Sequence, residues 1–126
     1  MRLNPDCVRD ILLAVESNEF GQHMTFDQLC DKLTNYSRED IHYCCLKLSE
    51  AGLLEIISRS TLRQSMPSIK TIKDLTFEGH EFLEDIKSDN TWNKTKAVAK
   101  NIGTFSIHAL KEISVSVISE LIKNNL

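Results

Sequence analysis

His42, Cys44 and Cys45 fall within four consecutive positions, with Cys30 upstream, and imidazole together with thiolate is the ligand set of structural zinc. The spacing works against such a centre. On a helix His42 and Cys45 share a face, but the adjacent Cys44 and Cys45 point about 100° apart, and no C-x-x-C pair is present. His80-Glu81-Phe82-Leu83-Glu84 has the outline of the metalloprotease helix, yet Glu84 stands where the second histidine is required. Serines are abundant without a G-x-S-x-G elbow, and glycines 21, 52, 79 and 103 are too dispersed to cradle a phosphate. None of the histidines at 23, 42, 80 and 108 lies beside a residue that would activate it. The residues therefore predict a non-enzymatic protein with no metal and no cofactor.

What remains is the chemistry of charge and hydrogen bonding toward a macromolecule. Ser37, Arg38, His42 and Lys47 fall on the solvent side of one predicted helix, and Arg59, Arg63, Lys70 and Lys73 follow in a strand-rich segment. Arg38 and His42, close to the helix N-terminus, are placed to read base edges, and Ser37 to meet a phosphate. The four later cations suit the backbone or the minor groove. Residues 37–73 hold a surplus of two positive charges in a chain of net charge −3, which is little for neutralising phosphates. Glu39 and Glu50 repel phosphate on the same helix, and Tyr43 and Leu46 are apolar. Two functional classes stay open: a double-stranded DNA-binding regulator, and a protein-interaction adaptor on the same scaffold.

The elements that must carry these residues are signalled by caps. Asn4 with Pro5 and Asp6 opens a first helix whose Val8, Ile11, Leu12 and Val15 form one stripe, with Gly21 after Phe20 as its exit. Thr25 and Gln28 fit a capping box ahead of a short second helix. Ser37 caps a third, whose Ile41, Cys44, Cys45, Leu48 and Ala51 face a core before Gly52. Leu53 to Ile57 and Ile69 to Leu75 read as the two strands of a hairpin with a long tip. Ile69, Ile72 and Leu75 cannot share the face of one regular strand, so the hairpin needs a bulge or exposes Ile72. Thr76 then caps a fourth helix returning Phe82, Leu83 and Ile86 to the core, and Gly79 in its first turn permits close approach to a neighbouring backbone. This order predicts a mainly α protein with a small β-hairpin, a winged helix-turn-helix over residues 1–88.

Residues 89–126 read as a helical extension. Asp89-Asn90-Thr91 is placed to cap a fifth helix through Trp92 and Val98, and Gly103-Thr104 breaks it before a last helix from about residue 105 to residue 123. The apolar residues of that last helix spread over roughly 200° of the wheel, twice what one packing contact needs. A homodimer interface through Ile107, Leu110, Val117, Ile118 and Leu121 is expected, the alternative being packing wholly within one chain.

No run approaches the roughly 20 apolar residues of a membrane span, and Met1 to Asp6 lacks the apolar core of a secretory signal, so a cytoplasmic location without membrane contact is expected. Four cysteines, two of them sequence neighbours, suit buried reduced thiols.

The run Leu75-Thr76-Phe77-Glu78-Gly79-His80-Glu81-Phe82-Leu83, continued through Trp92 to Lys96, resembles the signature of a family of uncharacterised small bacterial and prophage proteins, and Met1 to Val15 is similar to it too. The resemblance implies a winged-helix fold and a phage or mobile-element setting, and it carries no catalytic or ligand-binding residue.

Overall fold

The computed structural model describes residues 1–59 and 66–126. Six helices and three short strands appear among them: α1 (Pro5–Glu16), β1 (Met24–Thr25), α2 (Phe26–Lys32), α3 (Arg38–Glu50), β2 (Leu54–Arg59), β3 (Ser68–Leu75), α4 (Phe77–Ile86), α5 (Asp89–Ile102) and α6 (Ile107–Asn124). The protein is mainly helical with a small antiparallel sheet. It forms two compact units, Met1–His80 and Glu81–Leu126. No described helix is long and apolar enough to cross a membrane.

Capping chemistry sets the helix starts. Asn4 Oδ1 accepts from the backbone N–H of Asp6 and Cys7 at 3.1 and 3.3 Å, and Ser37 Oγ accepts from Asp40 N at 3.1 Å. The predicted box at α2 is closed in both directions: Gln28 N donates to Thr25 Oγ1 at 3.1 Å and Thr25 N to Gln28 Oε1 at 2.9 Å. α1 stops at Glu16, short of Gly21, because the following residues turn to deliver β1. α3 ends in a Schellman arrangement: Gly52 at φ 76° lets Gly52 N reach Ser49 O at 3.0 Å and Leu53 N reach Leu48 O at 2.9 Å. Ala51, expected in the core, is instead the exposed C-cap.

The sheet order is β1-β3-β2, both pairings antiparallel. The two-residue β1, unforeseen from the sequence, pairs Met24 with Ile72 and Thr25 with Thr71. The alternatives left for Ile69, Ile72 and Leu75 are decided by the register. β2 and β3 pair as Leu54–Leu75, Glu55–Asp74, Ile56–Ile72, Ile57–Thr71, Ser58–Ile69 and Arg59–Ser68, with two irregularities. The β3 residues left over are Lys73 and Lys70. Each lysine is the extra residue of a bulge, so the three-residue apolar spacing becomes an alternating one, and Ile69, Ile72 and Leu75 are all buried. They join Val8, Ile11, Leu12, Val15, Leu29, Ile41, Cys44, Cys45 and Leu48 among the buried side chains of the first unit.

Thr76 secures the start of α4. Its hydroxyl donates to Gly52 O at 2.6 Å and accepts from Gly79 N at 3.0 Å, while Thr76 N donates to Leu53 O at 3.2 Å. A side chain at position 79 would strike the Leu53 carbonyl, which is the close backbone approach foreseen for this glycine.

In the second unit Phe82, Leu83 and Ile86 are buried, as are Trp92, Thr95 and Ala99 of α5. Ser88 caps α5, its Oγ accepting from Thr91 N at 3.3 Å, and Asp89, Asn90 and Thr91 lie inside the helix. The correction has a simple origin: Asp89 serves the first turn as an acid at the positive end of the dipole. Gly103 at φ 93° ends α5, and Ser106 caps α6. α6 is unevenly covered. Leu110, Ile113 and Ser114 are buried, Val117, Ile118 and Leu121 are half-buried, and Val115 and Ile122 are exposed.

Candidate nucleic-acid interface

α2 and α3 are joined by the turn at residues 33–37, and Tyr36 fixes that turn to α1 by donating its hydroxyl to Asp10 Oδ2 at 2.6 Å. Burial, then the bond to Asp10, raises the Tyr36 pKa, so the phenol stays a donor at any physiological pH. Beneath the turn, Cys44 Sγ lies 3.9 Å from Asn4 O, and its bond with Cys7 holds the Cys7 thiol proton on, with burial acting in the same direction. Burial likewise raises Cys45 and Cys30. All four cysteines are free thiols. Among the described residues no three His, Cys, Asp or Glu side chains converge as metal ligands.

On the outer side of α3, the residues singled out as readers are already engaged. Arg38 Nη2 donates to Asp27 Oδ1 at 2.8 Å, and its guanidinium lies 5.1 Å from the Phe26 ring centroid. Both partners of this ion pair are open to solvent, at 60 and 79% side-chain exposure. Such pairs are worth about 0–1 kcal/mol, so a phosphate or a guanine edge competes for Arg38 readily. Lys47 Nζ contacts Glu50 Oε2 at 2.9 Å and lies 5.4 Å from the Tyr43 ring centroid. It is a half-buried cation one pair away from release.

His42 is different, and its expected role as a base reader needs correcting. Its Nε2 is 2.8 Å from Pro67 O, so Nε2 must carry the proton, since a carbonyl only accepts. The ring also meets Phe26 edge-on at 5.6 Å. Half-buried between α2 and the entry to β3, it is a strut tying α3 to the hairpin. Ser37 spends its hydroxyl on the α3 cap.

The hairpin cations are more available. Arg59 and Lys70 are exposed and Lys73 is half-buried, both lysines standing at the bulges of β3. Ser68 Oγ, donating to Arg59 O at 3.2 Å, pins the two strands at Arg59. Arg63, expected at the hairpin tip, lies outside the described residues. A bulge was one of the two alternatives that the sequence left open; its place was the missed signal, since a lysine following each apolar residue at spacing three marks the residue that the strand extrudes.

In the second unit, Leu110 is fully buried and is corrected as a dimer contact, because a side chain with no exposed surface has none to offer a second chain. Ile107, Val117, Ile118 and Leu121 are half-buried. α5 and α6 leave a valley of about 580 Å³ floored by Ala97, Val98, Val117 and Leu121 and edged by Lys94 and Glu120.

A relative from Haemophilus influenzae, described as an "Uncharacterized protein", is 33% identical over 123 residues, covering 97% of this chain and 99% of the relative. Residues 2–106 match the family model described as "Hypothetical protein (DUF2513)", and the chain belongs to that family.

Proposed function

We propose that the protein is a winged helix-turn-helix DNA-binding regulator, with α3 in the major groove and the β2–β3 hairpin against the flanking backbone. The observation that carries this reading is the sheet order β1-β3-β2, with α2 and α3 inserted between β1 and β2. That arrangement uses a two-residue strand to anchor the hairpin beside the helix-turn-helix, which is what a wing requires. Arg38 is the base reader, released from Asp27 on binding. Arg59, Lys70 and Lys73 serve phosphates, and His42 holds α3 and the hairpin at a fixed spacing. The regulated genes belong, by the resemblance of the α4 and α5 sequence, to a phage or other mobile element.

A second reading has its own support. Arg38, His42 and Lys47 all have partners within the chain, and Asp27, Glu39 and Glu50 are exposed on the same side. A protein adaptor would present such a mixed surface. Salt-titrated binding to a random duplex separates the two. Three phosphate-neutralising cations predict a slope of log K against log salt of about −2.7 per bound copy, and Lys73→Gln reduces it by about 0.9. Arg38→Ala is expected to flatten discrimination between duplexes. No binding to duplex at low salt would reject the DNA reading and leave the adaptor.

A further inference from the structure

The strand order leaves β2 at the edge of the sheet, paired with β3 on one side only. Both bulges belong to β3, so β2 runs as a regular strand, and beyond the ladder to β3 no backbone–backbone bond engages Leu54–Arg59 among the described residues. Half of its N–H and C=O groups therefore point away from the sheet, a template that edge strands ordinarily guard with proline, lysine or a bulge. β2 has none of these. We infer that this edge pairs with β2 of a second copy of the same chain, antiparallel across a two-fold axis at Ile57, so that one sheet continues through both copies.

The side chains of β2 identify the occupant. Opposite residues of an antiparallel pair share a face, so Leu54 and Ile56 stand with the buried Leu75 and Ile72 over the core, while Glu55, Ile57 and Arg59 point to the other face and are exposed. That outer stripe reads acid, isoleucine, base. Laid antiparallel on itself about Ile57, it is self-complementary: Glu55 stands opposite Arg59 of the second copy, Ile57 opposite Ile57, and the symmetry repeats the ion pair. Moving the axis by one residue, to Ile56 or to Ser58, sets Ile57 against Glu55 in the first case and against Arg59 in the second, so the stripe also opposes the neighbouring registers.

Each member of the stripe gains a neighbour that its own chain denies it. Within the sheet Glu55 lies opposite Asp74, a like charge, and among the described residues neither Glu55 nor Arg59 has an ion-pair partner. Ile57, 45% exposed, is covered by its symmetry mate. The contact runs from Glu55 to Arg59, about 17 Å of strand, and at roughly a few hundred Å² per copy it falls below the standard size of a specific interface. A weak dimer that loosens with salt follows. The guanidinium of Arg59 has five N–H donors, of which a carboxylate takes two, so the pairing leaves donors for a phosphate. The inference is independent of what α3 binds.

Sedimentation equilibrium of the intact protein tests this, with circular dichroism to verify that each variant folds. The wild type is expected to dimerise, with a dissociation constant that rises with salt. Glu55→Arg and Arg59→Glu should each raise that constant about tenfold or more, since each turns two attractions into repulsions. Positions 55 and 59 are about 13 Å apart along one strand, out of contact within a chain, so recovery of the double variant to within about threefold of the wild type can come only through a second copy. Cross-linking tests the axis. Opposite Cα atoms of an antiparallel pair are about 4.5–5.5 Å apart, within reach of a disulfide, so diamide should link two copies of Ile57→Cys but not two of Ser58→Cys, the wild type giving the background of the native thiols. A monomer at every concentration, single losses that simply add in the double variant, or equal cross-linking at the two positions overturns the proposal.

Discussion

Position 79 shows how one residue can reverse a general expectation. Replacing a glycine inside a helix by alanine ordinarily stabilises by up to about 1 kcal/mol, because alanine loses less backbone freedom on folding. Gly79, however, is pressed against the Leu53 carbonyl, and its own N–H is held by Thr76 Oγ1 at 3.0 Å. A methyl group there must push apart the joint at which Thr76 also binds Gly52 O. Overpacking of this kind costs about 1–3 kcal/mol, so Gly79→Ala should lower the urea midpoint by that equivalent with the m-value unchanged. An unchanged or raised midpoint would mean that α4 can withdraw from Leu53 without penalty. His42 carries the same lesson from another side: sequence alone places it on the outer flank of a helix, and only the position of Pro67, 25 residues away, makes it a strut.

At the scale of elements, what was legible was what local chemistry controls. Asn4, Thr25, Ser37 and Thr76 each announced a helix because a cap is a bond between residues two or three apart. β1 was illegible because two residues have no periodicity, and it exists only through its pairing with β3. The hairpin lay between these extremes. Its spacing demanded an irregularity, but only the register with β2 fixed it at Lys70 and Lys73. The ion pairs that occupy Arg38 and Lys47 divide in the same way, since Glu50 is a helical neighbour and Asp27 belongs to another helix. A sharp expectation follows for β3. Deleting Lys70 and Lys73 together leaves Ser68, Ile69, Thr71, Ile72, Asp74 and Leu75, which alternate and keep every pairing with β2. The shortened protein should therefore fold, with its stability within about 1 kcal/mol of the parent, where most surface changes also fall. If DNA is bound, the salt slope should drop by about 1.8. Loss of folding in the double deletion would show that the extra residues are required by the twist of the sheet, not merely extruded by it.

For the whole molecule, the net charge of −3 is the governing constraint. A chain repelled overall by a polyanion, with three available cations on the described part of its hairpin, has little affinity to gain from phosphate contacts by a single copy. Two copies acting together would change the arithmetic, because the second contact becomes intramolecular and avidity can add a factor of about 10²–10⁴ without any new interaction. A two-fold protein demands a two-fold site. Selection from a random-duplex pool should thus enrich duplexes that carry one motif twice. Affinity for a duplex carrying the motif twice should exceed that for a single motif by about tenfold or more, with a salt slope about twice as steep. Enrichment of single, unrepeated motifs would mean that one copy reads the duplex alone, and the affinity would then have to come from Arg38 at the base edges and from Arg59, Lys70 and Lys73 at the phosphates of one site.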